Sequence, residues 1–250
     1  SIYSIDIINN LVDKLKPKIL FHLSDEWGSR PEYIKVFNKV NLVYRQYNYS
    51  HLRKYDCQKK EHIKYLPLGY HSWGKHYKRD LDITEERKYK WCFSGSMKGR
   101  RSSDIKKLSV IKPHFNRKTS VYESTNMFCN STFAYCPKGN SHIESFRIYE
   151  AMYNGCIPII LCSEEKIEQF KNSFEIPLPI YFVTSIEEMI ELINNTNSEE
   201  INIKQKECLN WLNNISEKIR TNISLTLSLS LLSTSTNIES LTNIKSLATK

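Results

Sequence analysis

Glycine and proline are scarce in this 250-residue chain, which contains 7 and 8 of them. So low a content of both excludes collagen-like and proline-rich linker architectures. The 7 cysteines form no Cys-x-x-Cys pair, which argues against a zinc ribbon or a thioredoxin-type redox site. Because their number is odd and their density low, a disulfide-stapled scaffold is not expected either.

Apolar runs long enough to span a membrane are also absent from the sequence. The longest, Lys18 to Leu23 and Ile157 to Cys162, have the length of a strand and fall far short of the roughly 20 residues that cross a bilayer. No basic-then-apolar signal peptide opens the sequence, which begins with Ser1. Membrane attachment is therefore expected only through an anchor outside this sequence.

The chain nevertheless has the apolar material for a sizeable core, since 40% of its residues are hydrophobic. Its length fits one large domain or two of about 120 residues. Positive charge is concentrated in residues 1–120, which hold 26 Lys and Arg against 12 Asp and Glu, whereas residues 121–250 hold 10 against 15. A basic half favours polyanionic partners, namely nucleic acid, a membrane surface or the phosphates of a small ligand, unless it is only a solvated lysine-rich surface.

Hydrophobic periodicity predicts alternating helices and strands in residues 1–70. A helix over 4–15 and another ending near residue 39 alternate with strands at 18–23, 41–47 and 63–69. This β-α-β alternation favours a parallel sheet with flanking helices. The polar and aromatic stretch 71–88 lacks periodicity and is the predicted linker between two domains.

A second α/β unit is predicted over 89–195. Its strands are expected at 89–96, 131–137, 156–161 and 179–183, and its helices at about 102–111, 145–154, 164–171 and 185–194. A helix at about 198–222 follows. The Ser/Thr/Leu/Asn-rich stretch 226–250 is low in complexity and is predicted to be a poorly ordered tail, or else an edge strand.

Ligands of open parallel sheets bind at the carboxyl ends of the strands, which directs attention to residues 24–28, 94–101 and 137–147. The last of these runs from a strand through Lys138 and Gly139 to a helix for which Ser145 is a good N-cap. Arg147 lies in the first turn and Glu150 three residues later on the same face. A helix N-terminus favours phosphate, Arg147 adds bidentate contacts, and Glu150 suits a ribose diol. The pattern indicates a nucleotide-diphosphate site, unless Arg147 and Glu150 form only a surface ion pair.

This segment resembles the C-terminal half of exostosin-like glycosyltransferases, whose pattern is Pro-Arg-Gly, then Ser-x-Arg-x-x-Glu-Ala, then Gly-Cys-Ile-Pro-Val-Ile. The chain has Pro137-Lys138-Gly139, Ser145 to Ala151 and Gly155 to Ile160 in the same order and spacing. It departs from the pattern by Lys138 for Arg, Met152 for Leu and Ile159 for Val. The stretch Phe93 to Ser96 with Arg100 is similar to the first strand and loop of the family's donor-binding domain.

A narrower similarity, to the ribitol xylosyltransferase-like branch, is carried by His22 to Gly28, Val43 to Tyr47 and Leu66 to Tyr70. The resemblance covers about residues 18–195 and implies a GT-B architecture of two Rossmann-like α/β units with parallel sheets. The implied organisation is a truncated acceptor-side unit at 1–70, the linker at 71–88, the nucleotide-sugar-binding unit at 89–195, a helix at 196–225 and the tail at 226–250.

The resemblance also implies roles for individual residues. Arg147 contacts the diphosphate or nucleotide and Glu150 the ribose. The other expected donor-site residues are Ser96, Arg100, Arg101, Lys138, Gly139 and Ser145. Such enzymes commonly neutralise the leaving diphosphate with side chains and helix dipoles, so neither a metal nor another cofactor is expected.

The expected general base for the acceptor hydroxyl is Asp25 or Glu26, which follow the first strand. The alternative is that Asp25 only caps the next turn. His22, inside that strand, is predicted to be a packed core histidine.

The function implied is transfer of a sugar from a nucleotide-diphosphate donor, taken as a UDP-sugar, to a hydroxyl of a glycan or glycoprotein. One alternative is a relative that binds a nucleotide without turnover. Another is a basic nucleic-acid-binding module, which is not expected because no RNP motif, zinc knuckle or helix-turn-helix pattern is present. Family analogy implies the Golgi or another endomembrane lumen, whereas a viral protein or one without an anchor would be cytoplasmic.

Overall fold

The computed structural model of the chain describes residues 5–23, 32–47, 60–69, 87–116, 120–139 and 142–247. The chain divides into two compact units, one of Ser1–Leu66 with Ser216–Lys250 and one of Pro67–Ile215. Each unit contains its own parallel sheet, so the predicted α/β class with two parallel-sheet units is confirmed. Almost all of the predicted linker at 71–88 lies outside the described residues, and the predicted domain boundaries stay a prediction.

The first unit contains a parallel sheet of three strands in the order β1-β2-β3. Its elements are α1 (Ile5–Leu15), β1 (Ile19–His22), α2 (Tyr33–Phe37), β2 (Leu42–Arg45) and β3 (Ile63–Tyr65). Val12 of α1 and Val36 of α2 pack in one cluster with Val43 of the central strand. The ring of His22 packs 4.6 Å from that of Tyr33 and 5.5 Å from that of Phe37, as predicted, although the residue is half-buried and not part of the core.

The second unit contains a parallel sheet of five strands in the order β5-β4-β6-β7-β8. Its elements are β4 (Tyr89–Ser94), α3 (Arg100–Leu108), β5 (Pro113–Asn116), α4 (Val121–Cys129), β6 (Ser131–Tyr135), α5 (Phe146–Tyr153), β7 (Ile157–Leu161), α6 (Glu164–Lys171), β8 (Tyr181–Val183) and α7 (Ile186–Asn195). The chain leaves β4 to form β5 on one side and returns to form β6 on the other. The boundary between β4 and β6 is therefore the topological switch point of a doubly wound sheet.

Apolar strands form the core of the second unit. Four of the five residues of β7 are buried, as expected for a strand covered on both faces. Trp91 of β4 is almost fully buried, and its indole N–H donates to the carbonyl oxygen of Ile111 at 3.0 Å. The bond joins the core to the chain that leads into β5.

Two elements of the second unit, β5 and α4, were not predicted. A capping box opens α4, in which the Ser120 hydroxyl accepts from the backbone N–H of Glu123 and the Glu123 carboxylate accepts from the backbone N–H of Ser120. Because Ser-x-x-Glu is a sequence signature of a helix start, α4 was detectable. With β5, the sheet has five strands instead of the four predicted.

The last helix, α8, runs from Ser198 to Leu247 over 50 residues. The helix thus continues past residue 222, where it was predicted to end, and the alternative of an edge strand is wrong for the described residues, whereas the poor order predicted for the tail stays a prediction. No Pro or Gly follows Pro179 in the sequence, so the strongest local helix breakers are absent. The beginning of α8 is anchored on the second unit, where the Gln205 side-chain amide donates to the carbonyl oxygen of Gly155 at 2.8 Å. Within the described ranges, no helix combines the length and apolarity needed to span a membrane.

Buried thiols are expected to make the second unit sensitive to alkali. Burial raises the pKa of Cys136 and Cys156, and it raises the pKa of Cys208 to about 12. The folded chain therefore keeps these protons above about pH 8.5, where the unfolded chain releases them. Because the native state then binds more protons, the free energy of unfolding falls as the pH rises toward the folded-state pKa values.

We expect the urea midpoint to be lower at about pH 10 than at about pH 7.5. A Cys208→Ala variant should show a smaller decrease, because one raised thiol is missing. Equal midpoints at both pH values in the unaltered chain would contradict the prediction.

Candidate functional site

The carboxyl ends of β4 and β6 lie side by side at the switch point, because these two strands are paired. Doubly wound sheets bind their ligands at this place. The segments that follow the two strands are also joined directly, since Arg101 Nη2 donates to the carbonyl oxygens of Lys138 at 2.7 Å and Gly139 at 3.4 Å. The edge of the sheet thus holds two loops in a defined arrangement.

Arg147 reaches from the first turn of α5 to the end of β4. Its Nε donates a hydrogen bond to the carbonyl oxygen of Ser94, and its guanidinium carbon lies 5.6 Å from the centroid of the Phe93 ring. Among the described residues, no carboxylate lies within ion-pair distance of Arg147, so the structure does not contain the alternative ion pair with Glu150.

The charge of Arg147 is incompletely compensated by its surroundings. Burial lowers the pKa of its guanidinium, and the neighbouring charge of Arg101 lowers it further, against the opposite effects of Cys136 and Glu150. Arg147 is half-buried. A cation in such a position gains more from an incoming anion than a solvated surface cation does, because less water screens the interaction.

Ser145 occupies the predicted N-cap of α5, with an extended backbone at φ −146° and ψ 154°, but its side chain makes no capping hydrogen bond. Its Oγ is buried and has no hydrogen-bond partner in the part of the chain that the structure describes. An unsatisfied buried hydroxyl costs about 1–3 kcal/mol. The start of α5 therefore combines a free hydroxyl, the helix N-terminus and the Arg147 guanidinium, all of which favour an anion.

Glu144, which precedes this N-cap, is a site residue that the sequence analysis missed. Its side chain is 1% exposed. Its Oε1 accepts hydrogen bonds from the backbone N–H of Leu68 at 2.9 Å and from the hydroxyl of Tyr149. The only signal in the sequence is a carboxylate directly before a helix start, a position that is usually solvated.

All eight predicted donor-site residues lie in the second unit, on or after the carboxyl ends of β4 and β6. Ser96 and Arg100 are exposed, and Arg100 Nε lies 3.6 Å from Asp104 Oδ1. Lys138 is exposed, whereas Arg101 and Glu150 are half-buried. Their roles in binding stay predictions.

The predicted general bases, Asp25 and Glu26, lie outside the described residues. Within the residues described, no group of three or more His, Cys, Asp or Glu side chains is arranged to hold a metal ion. The expectation of a reaction without a metal or other cofactor stays a prediction.

Comparison with known families identifies the chain. The sequence model of the exostosin GT47 domain matches residues 57–183, just over half of the chain. The chain belongs to the exostosin GT47 family of glycosyltransferases. The match includes the motif at 137–160, so the family resemblance seen in the sequence is confirmed.

Three solved structures are similar to this exostosin-family chain at low sequence identity. A GtfA/B complex shares 9% identity at a TM-score of 0.44, and the match covers 82% of this chain and 56% of that one. The DNA-modifying enzyme β-glucosyltransferase, studied with and without uridine diphosphoglucose, shares 14% at a TM-score of 0.43, with 85% and 75% covered. T4 phage BGT in complex with its UDP-glucose substrate shares 13% at a TM-score of 0.42, with 83% and 81% covered.

The exostosin-family chain thus spans little more than half the length of the GtfA/B chain. A comparison with curated proteins finds no match.

Proposed function

We propose that the chain binds a nucleoside diphosphate sugar, with UDP as the nucleotide, at the switch point of its second unit and transfers the sugar to a hydroxyl of a glycan or glycoprotein. The observation that carries the proposal is the Arg147 guanidinium, which is half-buried, tied to the carboxyl end of β4 and unpaired with any described carboxylate. Membership of the GT47 family supports sugar transfer as the reaction.

In this proposal the diphosphate lies against the N-terminus of α5. The groups that would face it are the positive end of the helix dipole, the Ser145 hydroxyl and the Arg147 guanidinium. Arg101 and Lys138 add positive charge at the same edge. Glu150, one turn into the helix, accepts hydrogen bonds from the ribose diol.

The groups that bind the diphosphate also assist the transfer of the sugar. The acceptor hydroxyl oxygen forms a bond to the anomeric carbon, the bond from that carbon to the diphosphate oxygen breaks, and UDP leaves with the electron pair. Donors placed around the diphosphate stabilise the charge that develops on it. The hydroxyl proton passes to a carboxylate, for which Asp25 and Glu26 are the proposed candidates.

The proposal is tested by the melting temperature of the purified chain with and without UDP. A ligand at 100 times its Kd stabilises the native state by about 2.7 kcal/mol, which raises Tm by about 5–10 °C for a domain of this size. We expect that increase with UDP and a smaller one with uridine, which lacks the diphosphate. A parallel measurement with guanosine diphosphate tests whether the site distinguishes uracil from guanine.

Turnover is measured as UDP released from UDP-sugars in the presence of glycan acceptors. Stabilisation without release under any acceptor would identify a nucleotide-binding relative that is not catalytic. A cooperatively melting chain that neither UDP nor guanosine diphosphate stabilises would overturn the donor site.

A further inference from the structure

Gly95, the first residue after β4, lies directly against the Arg147 guanidinium. Its φ is +146°, which L side chains rarely adopt. A Cβ built on Gly95 would lie 2.5 Å from Arg147 Nη2, 3.0 Å from Nε and 3.1 Å from Cζ. Real Cβ atoms essentially never approach so closely, so any other residue at position 95 requires a shift, and the three atoms that its Cβ would meet all belong to the guanidinium.

The space that a side chain at position 95 would fill is called here the Gly95 slot. Two further contacts hold the guanidinium in this slot. Nε donates to the carbonyl oxygen of Ser94, and the ring of Phe93 lies beneath the guanidinium. The structure records no hydrogen bond from Nη1 or Nη2 to a described residue. The hydrogen bond from Nε thus fixes the planar guanidinium at the edge of the sheet. The N–H groups of Nη1 and Nη2 stay available to a ligand.

We propose that Gly95 is a positioning residue for donor binding. Its missing side chain creates the slot that holds Arg147 at the switch point with both Nη groups available to the diphosphate. This inference rests on the proposed function. A simpler alternative is that residue 95 is glycine only because of its backbone conformation. The two explanations differ in whether the effect of a side chain at position 95 depends on Arg147.

The test is a double-mutant cycle with Gly95→Ala, Arg147→Ala and the double variant, using UDP as the probe. We expect Gly95→Ala to weaken UDP binding by about 10- to 100-fold, because a displaced guanidinium loses part or all of its charged hydrogen bonds to the diphosphate. In the Arg147→Ala background the same change should alter the affinity by less than about twofold, since no guanidinium remains to be displaced.

Gly99→Ala is the matched control for backbone strain. Gly99 lies in the same loop with φ +55°, and nothing lies within 4 Å of a Cβ built on it. This variant should lose stability but keep the UDP affinity of the unaltered chain. Equal weakening by Gly95→Ala and Gly99→Ala would overturn the positioning role.

Stability gives a second readout that needs no nucleotide. If the slot is real, Gly95→Ala lowers Tm by less in the Arg147→Ala background than in the unaltered chain. If Gly95→Ala alone does not fold, folding of the double variant supports the slot, and its failure to fold while Arg147→Ala folds overturns it.

The two proposals fail in different ways. Absence of nucleotide binding by the unaltered chain overturns the proposed function and the positioning role with it. Nucleotide binding that is equal in the unaltered chain and in Gly95→Ala overturns the positioning role alone.

Discussion

Replacing Arg147 by alanine is expected to weaken UDP binding by about 100-fold and to remove most of the rise in Tm that UDP produces. The guanidinium has no carboxylate partner among the described residues, so the diphosphate would supply its compensating charge. A hydrogen bond to a charged group contributes about 1.5–3 kcal/mol, and about 2.7 kcal/mol corresponds to that loss of affinity. Titration calorimetry with UDP measures the Kd directly, and melting curves check it.

Arg147→Lys separates charge from geometry. Lysine keeps the positive charge but has neither the Nε that donates to Ser94 nor the planar fork. We therefore expect a UDP affinity between those of Arg147→Ala and the unaltered chain. Arg220→Ala, which removes an exposed arginine from α8, is the matched control and should bind UDP normally. UDP stabilisation of Arg147→Ala equal to that of the unaltered chain would show that the diphosphate lies elsewhere.

The elements that support this site were predictable from the sequence. The continuous apolar run at 157–161 predicts a strand that is buried on both faces, and the structure has β7 at these residues. Ser145 and Gly155 mark the two ends of α5, which runs from Phe146 to Tyr153. Local signals sufficed because strand burial and helix termination are decided by a few neighbouring residues.

The contacts that shape the site were not predictable in this way. Arg147 and Ser94 are 53 residues apart, and their hydrogen bond exists only because β6 pairs with β4. In the proposal for Gly95, the space above this glycine is likewise filled from another element, by the Arg147 guanidinium. Family resemblance indicated that Arg147 matters but not which backbone atoms hold it.

The C-terminal segment shows a different limit. Its Ser- and Thr-rich composition has low helix propensity and predicts a helix that ends near residue 222. Composition says little about whether a helix that has already formed will continue, because nucleation is the costly step and propagation adds one hydrogen bond per residue. The helix begins at Ser198, is anchored through Gln205, and continues without a Pro or Gly to Leu247.

Replacing Glu144 by alanine is expected to destabilise the second unit by about 3 kcal/mol. The carboxylate is buried and accepts from the Leu68 N–H and the Tyr149 hydroxyl, so its removal leaves two buried donors without this acceptor. Each unsatisfied donor costs about 1–3 kcal/mol, and the truncated side chain leaves a cavity as well. Urea unfolding, with the slope compared between variants, measures the loss.

Two further variants show which property of Glu144 is responsible. Glu144→Gln keeps an acceptor oxygen near Leu68 and Tyr149 and should lose less stability than Glu144→Ala, whereas Tyr149→Phe removes only one of the two hydrogen bonds. Glu191→Ala, at an exposed position of α7, should change stability by less than about 0.5 kcal/mol. Because Glu144 directly precedes the N-cap of α5, its loss should also weaken UDP binding, through displacement of the helix start that carries Ser145 and Arg147. A Glu144→Ala variant as stable as the unaltered chain would show that these hydrogen bonds do not hold the start of α5.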